Sequence, residues 1–209
     1  MDGFSPIWPP SRTQIDRVSI GDAWKCSGLP KSPPAQQWES IVPFHKLTQW
    51  LCYSIMVPMS KLMLIHFAGS DLLTGLPEYR NGGLLIDLGL LTLKPEDMQR
   101  GIDAYKENAQ IKGQPSVEVA PLFCADDDVI VEWRAATVGF LDELLEEVNA
   151  QLGLKGSEDQ LSLAQMLEAG TWKVSNLSRI ISASSILTMN RVVARLRKFR
   201  DQTPRNPLS

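Results

Sequence analysis

The chain has 209 residues, 44% hydrophobic and 22% charged, with a formal net charge of -3, an ordinary globular composition that suffices for one domain or a compact pair. This balance supplies no overall basic field for a polyanion, which argues against nucleic acid as a partner. Cys26, Cys52 and Cys124 are widely spaced with no C-x-x-C pair, so neither a disulfide framework nor a structural zinc site is expected.

Residues 1–43 contain Pro6, Pro9, Pro10, Pro30, Pro33, Pro34 and Pro43. Proline removes donors and fixes φ, so this stretch is expected to be an extended, wrapping segment without long helices. Trp8, Trp24 and Trp38 lie in it and Trp50 just beyond, which predicts aromatic anchors holding it on a helical body. Its start lacks the basic and apolar regions of a secretory signal. Phe44, Leu47, Leu51 and Ile55 then recur at three- and four-residue steps, predicting an amphipathic helix that Pro58 ends or kinks. A second helical piece is expected through Leu62 and Ile65 towards Gly69. Polar residues and Pro58 interrupt the apolar stretch 47–68, making it poor for a bilayer span. No membrane partner is expected, and the expected location is the cytoplasm.

The run Leu73-Thr74-Gly75-Leu76-Pro77-Glu78-Tyr79-Arg80-Asn81-Gly82-Gly83 is the most informative stretch. Glu78 and Arg80 flank Tyr79 ahead of Asn81, a set that can present an acid, a guanidinium and an aromatic face to one small ligand. A tight turn with an internal Glu-Arg pair explains it equally well. The paired glycines suggest close backbone approach or positive φ. The apolar run 84–93 reads as a short buried strand or a buried helix turn, which periodicity cannot separate. Asp87 stands alone in it, where a buried charge is costly unless paired. Either Arg80 or Arg134 partners it, or it is an acid-base candidate with a raised pKa.

Lys94-Pro95-Glu96-Asp97 marks a helix start, with the helix reaching about residue 108. Asp126, Asp127 and Asp128 are placed to cap a long helix over 129–152, stopped by Gly153. Glu132 and Arg134 fall in its first turns; two positions apart they do not share a face, so at most one points into a given site, and structural ion pairing competes with that role. Glu143, Glu146 and Glu147 read as a solvated acidic face. A short helix over 161–169 and a last one over 172–200 follow, the latter carrying Arg191, Arg195, Arg197, Lys198 and Arg200, either a solvated basic face or an RNA or membrane contact. The expected organisation is an extended segment over 1–43, a helical core over 44–172 and a basic C-terminal helix and tail over 173–209.

His45 and His66 are the only histidines, 21 positions apart, a spacing that does not favour zinc. No metal or cofactor is expected. His45 opens a helix and either caps it or reaches a site. In Gly21-Asp22-Ala23-Trp24, Asp22 either closes a turn or points at a ligand.

Gly21 to Trp24, the run 42–51 (Val-Pro-Phe-His-Lys-Leu-Thr-Gln-Trp-Leu), the run 73–83, Val131-Glu132-Trp133-Arg134-Ala135 and Leu167-Glu168-Ala169-Gly170-Thr171-Trp172 resemble, in this order, the uracil-catabolism protein 4 family, a domain family of unknown function. Against that family the chain looks like a C-terminal half. Members are longer and carry an N-terminal helical half, their glycine- and proline-rich end closing on Ser-Asp-Gly-Thr-Val-Phe is replaced here by residues 175–209, and residues 62–70 are altered. The resemblance implies a place in the pathway that opens the uracil ring by way of a ribosylated intermediate and releases urea.

Leu73-Thr74 with Glu78-Tyr79-Arg80 is also similar to the L-T-x-F-x-D-Y-R run of the queuosine nucleoside hydrolases, and Val131 to Ala135 to their E-x-R-A helix. This second resemblance implies a mainly α, DNA-glycosylase-like fold and N-glycosidic hydrolysis of a ribosylurea-like nucleoside or its phosphate. Glu78 would be the catalytic carboxylate, with Asp87 the other catalytic candidate. Arg80 would orient ribose or phosphate and Tyr79 stack on the base or urea plane, with Asn81, His45, Glu132 and Arg134 as further substrate contacts. The rival readings are a non-catalytic binding or scaffold protein that partners other uracil-degradation enzymes, and an inactive truncated gene product.

Overall fold

The computed structural model describes residues 8–29, 36–113 and 119–168. Within them helices dominate and the strands are short, as expected of a mainly α chain with an extended N-terminal stretch. Two compact units can be distinguished, the first drawn from Met1–His45 and Thr92–Ala135, the second from Lys46–Leu91 and Ala136–Ser209.

In the first unit, β1 (Gln14–Ile15) and β2 (Val18–Ser19) form a minimal antiparallel hairpin. Asp16 and Arg17 turn it with φ of 49° and 65°, the backbone twist that two-residue hairpins require. β3 (Ala23–Lys25) pairs antiparallel with β4 (Ile41–Pro43), setting Trp24 opposite Val42. Trp24 is buried with Ala23, Cys26 and Phe44, and the Arg12 guanidinium lies 4.5 Å from its ring centroid. Trp24 is therefore buried among residues of the N-terminal segment and the adjoining Phe44. The anchoring expectation fails for Trp38, which is 64% exposed, and for Trp50, 48% exposed on a helix of the second unit.

Helix α3 (Pro95–Lys112) carries proline in its first turn with Glu96 and Asp97 beside it, and ends on Gly113 at φ 59°. It runs four residues past the expected end, because this glycine supplies the left-handed stop. Helix α4 (Asp128–Gln151) opens where the aspartate run predicts: the Asp127 carboxylate accepts from the Val129 N–H at 3.0 Å. Its residues through Ala135 belong to the first unit and those from Ala136 to the second.

The second unit begins with α1 (Lys46–Met63), which continues through Pro58 and has no buried residue. Proline removes the bond to the carbonyl four residues earlier, but Ser54 and Pro58 are both exposed, so water can satisfy that carbonyl. Leu62 falls within α1, and no second helix forms between Met63 and Gly69; a 3-10 turn follows over Ser70–Leu72.

Helix α2 (Tyr79–Asp87) takes in both Gly82 and Gly83 and the start of the apolar run, so of the two readings left open for residues 84–93 the helical one holds through Asp87 and no strand forms there. Asn81, Gly82 and Leu85 are buried along one side of it, a helical rather than an alternating pattern. After it the chain turns, and Leu90 folds into a core of Leu85, Leu141, Leu144, Met166 and Leu167. Each such side chain contributes about 1.5–3 kcal/mol by leaving water. Helix α5 (Leu163–Met166) lies within the expected 161–169, opened by a reciprocal capping box between Ser162 and Gln165. The helix expected over 172–200 and its basic cluster lie outside the described residues.

Candidate functional site

The loop before α2 is held at both ends. Gln49 Nε2 donates to Thr74 Oγ1 at 2.5 Å while the Thr74 N–H donates to Gln49 Oε1 at 2.8 Å. One turn further along α1, the Tyr53 hydroxyl donates to the Thr74 carbonyl at 3.0 Å. Burial, then the Asp142 carboxylate, then Cys52, push the Tyr53 hydroxyl above its ordinary range, which keeps it a donor. At the other end Asn81, 1% exposed, donates from Nδ2 to the Leu76 carbonyl at 2.8 Å. Between these ties Gly75 lies against α4: a Cβ there would stand 2.6 Å from Leu141 Cδ1.

These ties fix Glu78, the N-cap of α2, whose Oε2 accepts from the Arg80 N–H at 3.1 Å. Its Oε1 lies 4.0 Å from Lys46 Nζ. Lys46, Leu47 and Trp50 from α1 join Leu76, Glu78 and Arg80 around a cavity of about 270 Å³. The cavity thus has an apolar wall, two cations and a carboxylate, the last alone among the described lining residues.

Of the residues singled out in the sequence, Glu78 and Arg80 meet in this cavity. Tyr79 is 66% exposed and its hydroxyl accepts from Arg80 Nε at 3.3 Å; the aromatic ring that lines the cavity is Trp50. Asn81 is a buried tie of the loop rather than an exposed contact, and Gly82 and Gly83 are helical rather than turn residues. Asp87 is exposed, so the burial cost inferred from its apolar neighbours does not arise, and neither suggested arginine serves it: Arg134 pairs with Asp22, and Arg80 lies beside Tyr79. Nine residues on from Glu78, Asp87 is displaced by about 13 Å along the helix and half a turn round it, too far for the two to act as a carboxylate pair.

His45, Glu132 and Arg134 belong to the first unit. Arg134 Nη2 bonds both oxygens of Asp22, at 3.0 and 2.8 Å, and its guanidinium lies 4.0 Å from the Phe44 ring centroid. Trp24 Nε1 donates to the same Asp22 carboxylate at 2.6 Å. Asp22 is therefore a structural acceptor, and Arg134 its partner. Glu132 is exposed, with Oε1 2.7 Å from where a Cβ on Gly28 would stand. His45 has φ 46°, uncommon outside glycine, and its N–H and that of Phe44 both donate to the Asp22 carbonyl.

Lys46, Leu47, Trp50 and Leu76 are the cavity residues that the sequence did not single out as site residues. The helical spacing of Lys46 and Trp50 was legible, but their convergence on Glu78 depends on the Gln49–Thr74 contact, which has no local signature. Among the described residues, no cluster of three histidine, cysteine or acidic side chains could hold a metal ion, and no helix is long and apolar enough to cross a membrane.

The family described as "Protein of unknown function (DUF1688)" matches residues 1–184. The chain belongs to that family. It is 45% identical over 175 residues to "Uracil catabolism protein 4" of Lachancea kluyveri, a match covering 83% of this chain and 38% of that protein. It is also 45% identical over 168 residues to "Protein urg3" of Schizosaccharomyces pombe (strain 972 / ATCC 24843), covering 80% of this chain and 34% of that one. The chain thus spans well under half the length of the curated relatives it matches. No solved structure matches.

Proposed function

We propose that this chain carries the nucleoside-binding part of an N-ribosyl hydrolase of uracil catabolism, acting on a ribosylurea-like intermediate or its phosphate. The observation that carries the reading is Glu78, held at the α2 N-terminus and lining a cavity with Lys46, Arg80 and Trp50. The name of the Lachancea relative supplies the pathway.

In this reading Trp50, rather than Tyr79, lies against the planar urea or base, because it forms part of the cavity wall. Lys46 and Arg80 together outweigh the single carboxylate, which suits an anionic group such as a phosphate or the oxygen-rich edge of ribose. Glu78 faces the anomeric carbon. As the C1′–N bond breaks, positive charge develops on the ribose, and a fixed carboxylate stabilises it more than it stabilises the neutral ground state. Water adds its oxygen to C1′, and its proton passes to the departing urea nitrogen, so that ribose and urea are the products.

The full-length Lachancea protein incubated with ribosylurea is expected to release free urea and ribose in equal amounts. Ribosylurea bound and left intact would refute hydrolysis.

A further inference from the structure

The amphipathic pattern of α1 faces the wrong way for a helix closed by its own unit. On a helical projection Leu47, Trp50, Leu51, Ser54, Ile55, Val57, Pro58, Lys61 and Leu62 fall within one arc of about 160°, and all are exposed. Only Ser54 and Lys61 are polar. Leu47 is 64% exposed, Ile55 44% and Leu62 82%. The opposite side, with Gln49, Cys52, Tyr53, Met56 and Met59, is only partly buried, and Gln49 and Tyr53 spend it on holding the loop. A helix of this composition is kept in water only if its apolar stripe has somewhere to go.

We infer that the outward stripe of α1 is the seat for the portion of full-length family members that lies outside the matched region. More than half of each curated relative lies there, within the same polypeptide. The alternative occupant, a second copy of this chain, is disfavoured by size. An 18-residue helix is about 27 Å long and about 10 Å wide, so pairing two such faces buries on the order of 500 Å², well below the roughly 1,200 Å² of a stable interface. A segment tethered in the same chain needs no such area, because its effective concentration is high. Leu47 and Trp50 belong to both the stripe and the cavity wall, so the seated segment borders the candidate site and excludes water from its open side. This inference concerns what covers α1 and does not depend on the hydrolase reading.

The test compares this chain with the full-length Lachancea protein by hydrogen exchange and thermal unfolding, each as wild type and with the double change Leu51→Glu and Ile55→Glu, at the aligned positions in the relative. Amides of α1 are expected to exchange at least tenfold more slowly in the relative. The double change is expected to lower the relative's Tm by several degrees and abolish that protection, while leaving the Tm of this chain within a degree. Equal α1 exchange in the two proteins, with a relative that tolerates both glutamates, overturns the inference. So does a dimer of this chain in sedimentation that the double change dissolves while the relative is unaffected, since the stripe would then be a self-association face.

Discussion

Asp22 and Arg134 stand 112 positions apart, yet one guanidinium nitrogen reaches both carboxylate oxygens, with Trp24 Nε1 as a further donor. Two segments that each look like a site in the sequence are, in the first unit, each other's partners. Both side chains are mostly shielded, at 17% and 16% exposure, so truncating one leaves the other charge poorly solvated. Asp22→Ala is expected to cost about 2 kcal/mol, the range for hydrogen bonds to a charged group. Arg134→Lys should cost a comparable amount, because the planar contact with Phe44 is lost with the guanidinium. Urea unfolding of both variants checks this, and a change under about 0.5 kcal/mol, the usual range for surface sites, would count against it.

Two of the three glycines in the run 73–83, Gly75 and Gly83, respond in opposite directions. At Gly75 a Cβ would stand 3.1 Å from Leu141 Cβ as well as 2.6 Å from its Cδ1, so Gly75→Ala overpacks the contact with α4 and destabilises by about 1–3 kcal/mol. At Gly83, inside α2, nothing lies within 4 Å of the added carbon. Gly83→Ala is expected to stabilise by about 0.5–1 kcal/mol through helix propensity and a stiffer unfolded chain. Differential scanning calorimetry of the pair reads both signs at once.

Acid sensitivity has a named source at the start of α4. Hydrogen bonds from Arg100 hold the Asp127 carboxyl below the ordinary carboxylate range, outweighing its partial desolvation, with the Val129 N–H assisting. A depressed folded value means that the unfolded chain takes up the proton first. The contribution is therefore complete above about pH 4 to 5, where the unfolded carboxyl is ionised, and falls away as pH drops through the folded value. Asp127→Asn is expected to be less stable than wild type at pH 6, with the gap narrowing steadily below pH 4. Denaturant midpoints at several pH values measure it, and a gap independent of pH would contradict the assignment.

Glu78→Gln separates charge from fold. A glutamine oxygen can still accept the Arg80 N–H and cap α2, so the thermal stability of this chain should change little. Under the hydrolysis proposed above, the same change at the aligned position of the full-length Lachancea protein is expected to reduce kcat for urea release by about 10²–10⁴-fold, with ligand affinity largely retained. Steady-state kinetics alongside calorimetric binding makes the distinction.

What the sequence revealed depended on how local the cause was. The start of α3 follows from Pro95 and two acids, the start of α4 from Asp127, and the turn of α5 from Ser162 and Gln165; these are neighbouring groups meeting along the chain. The apolar run after Gly83 was ambiguous because its direction is set by Leu85 and Leu90 meeting Leu141 and Leu144, contacts with no trace in a window of ten residues. The same holds for the candidate site. Glu78 and Arg80 stand out by adjacency, whereas Lys46 and Trp50 join them only through the pairing of Gln49 with Thr74. Asp87 shows the converse error: apolar neighbours suggested burial, but on a helix adjacent residues face different ways.

The amide of Gln49 engages Thr74 in the manner of one backbone strand pairing with another, a donor and an acceptor side by side, with Tyr53 adding a third tie one turn away. Helix and loop therefore form a bracket that leads to Glu78. A segment seated on the outer face of α1, as inferred above, would bear on the helix that holds this bracket and through it on the placing of the carboxylate.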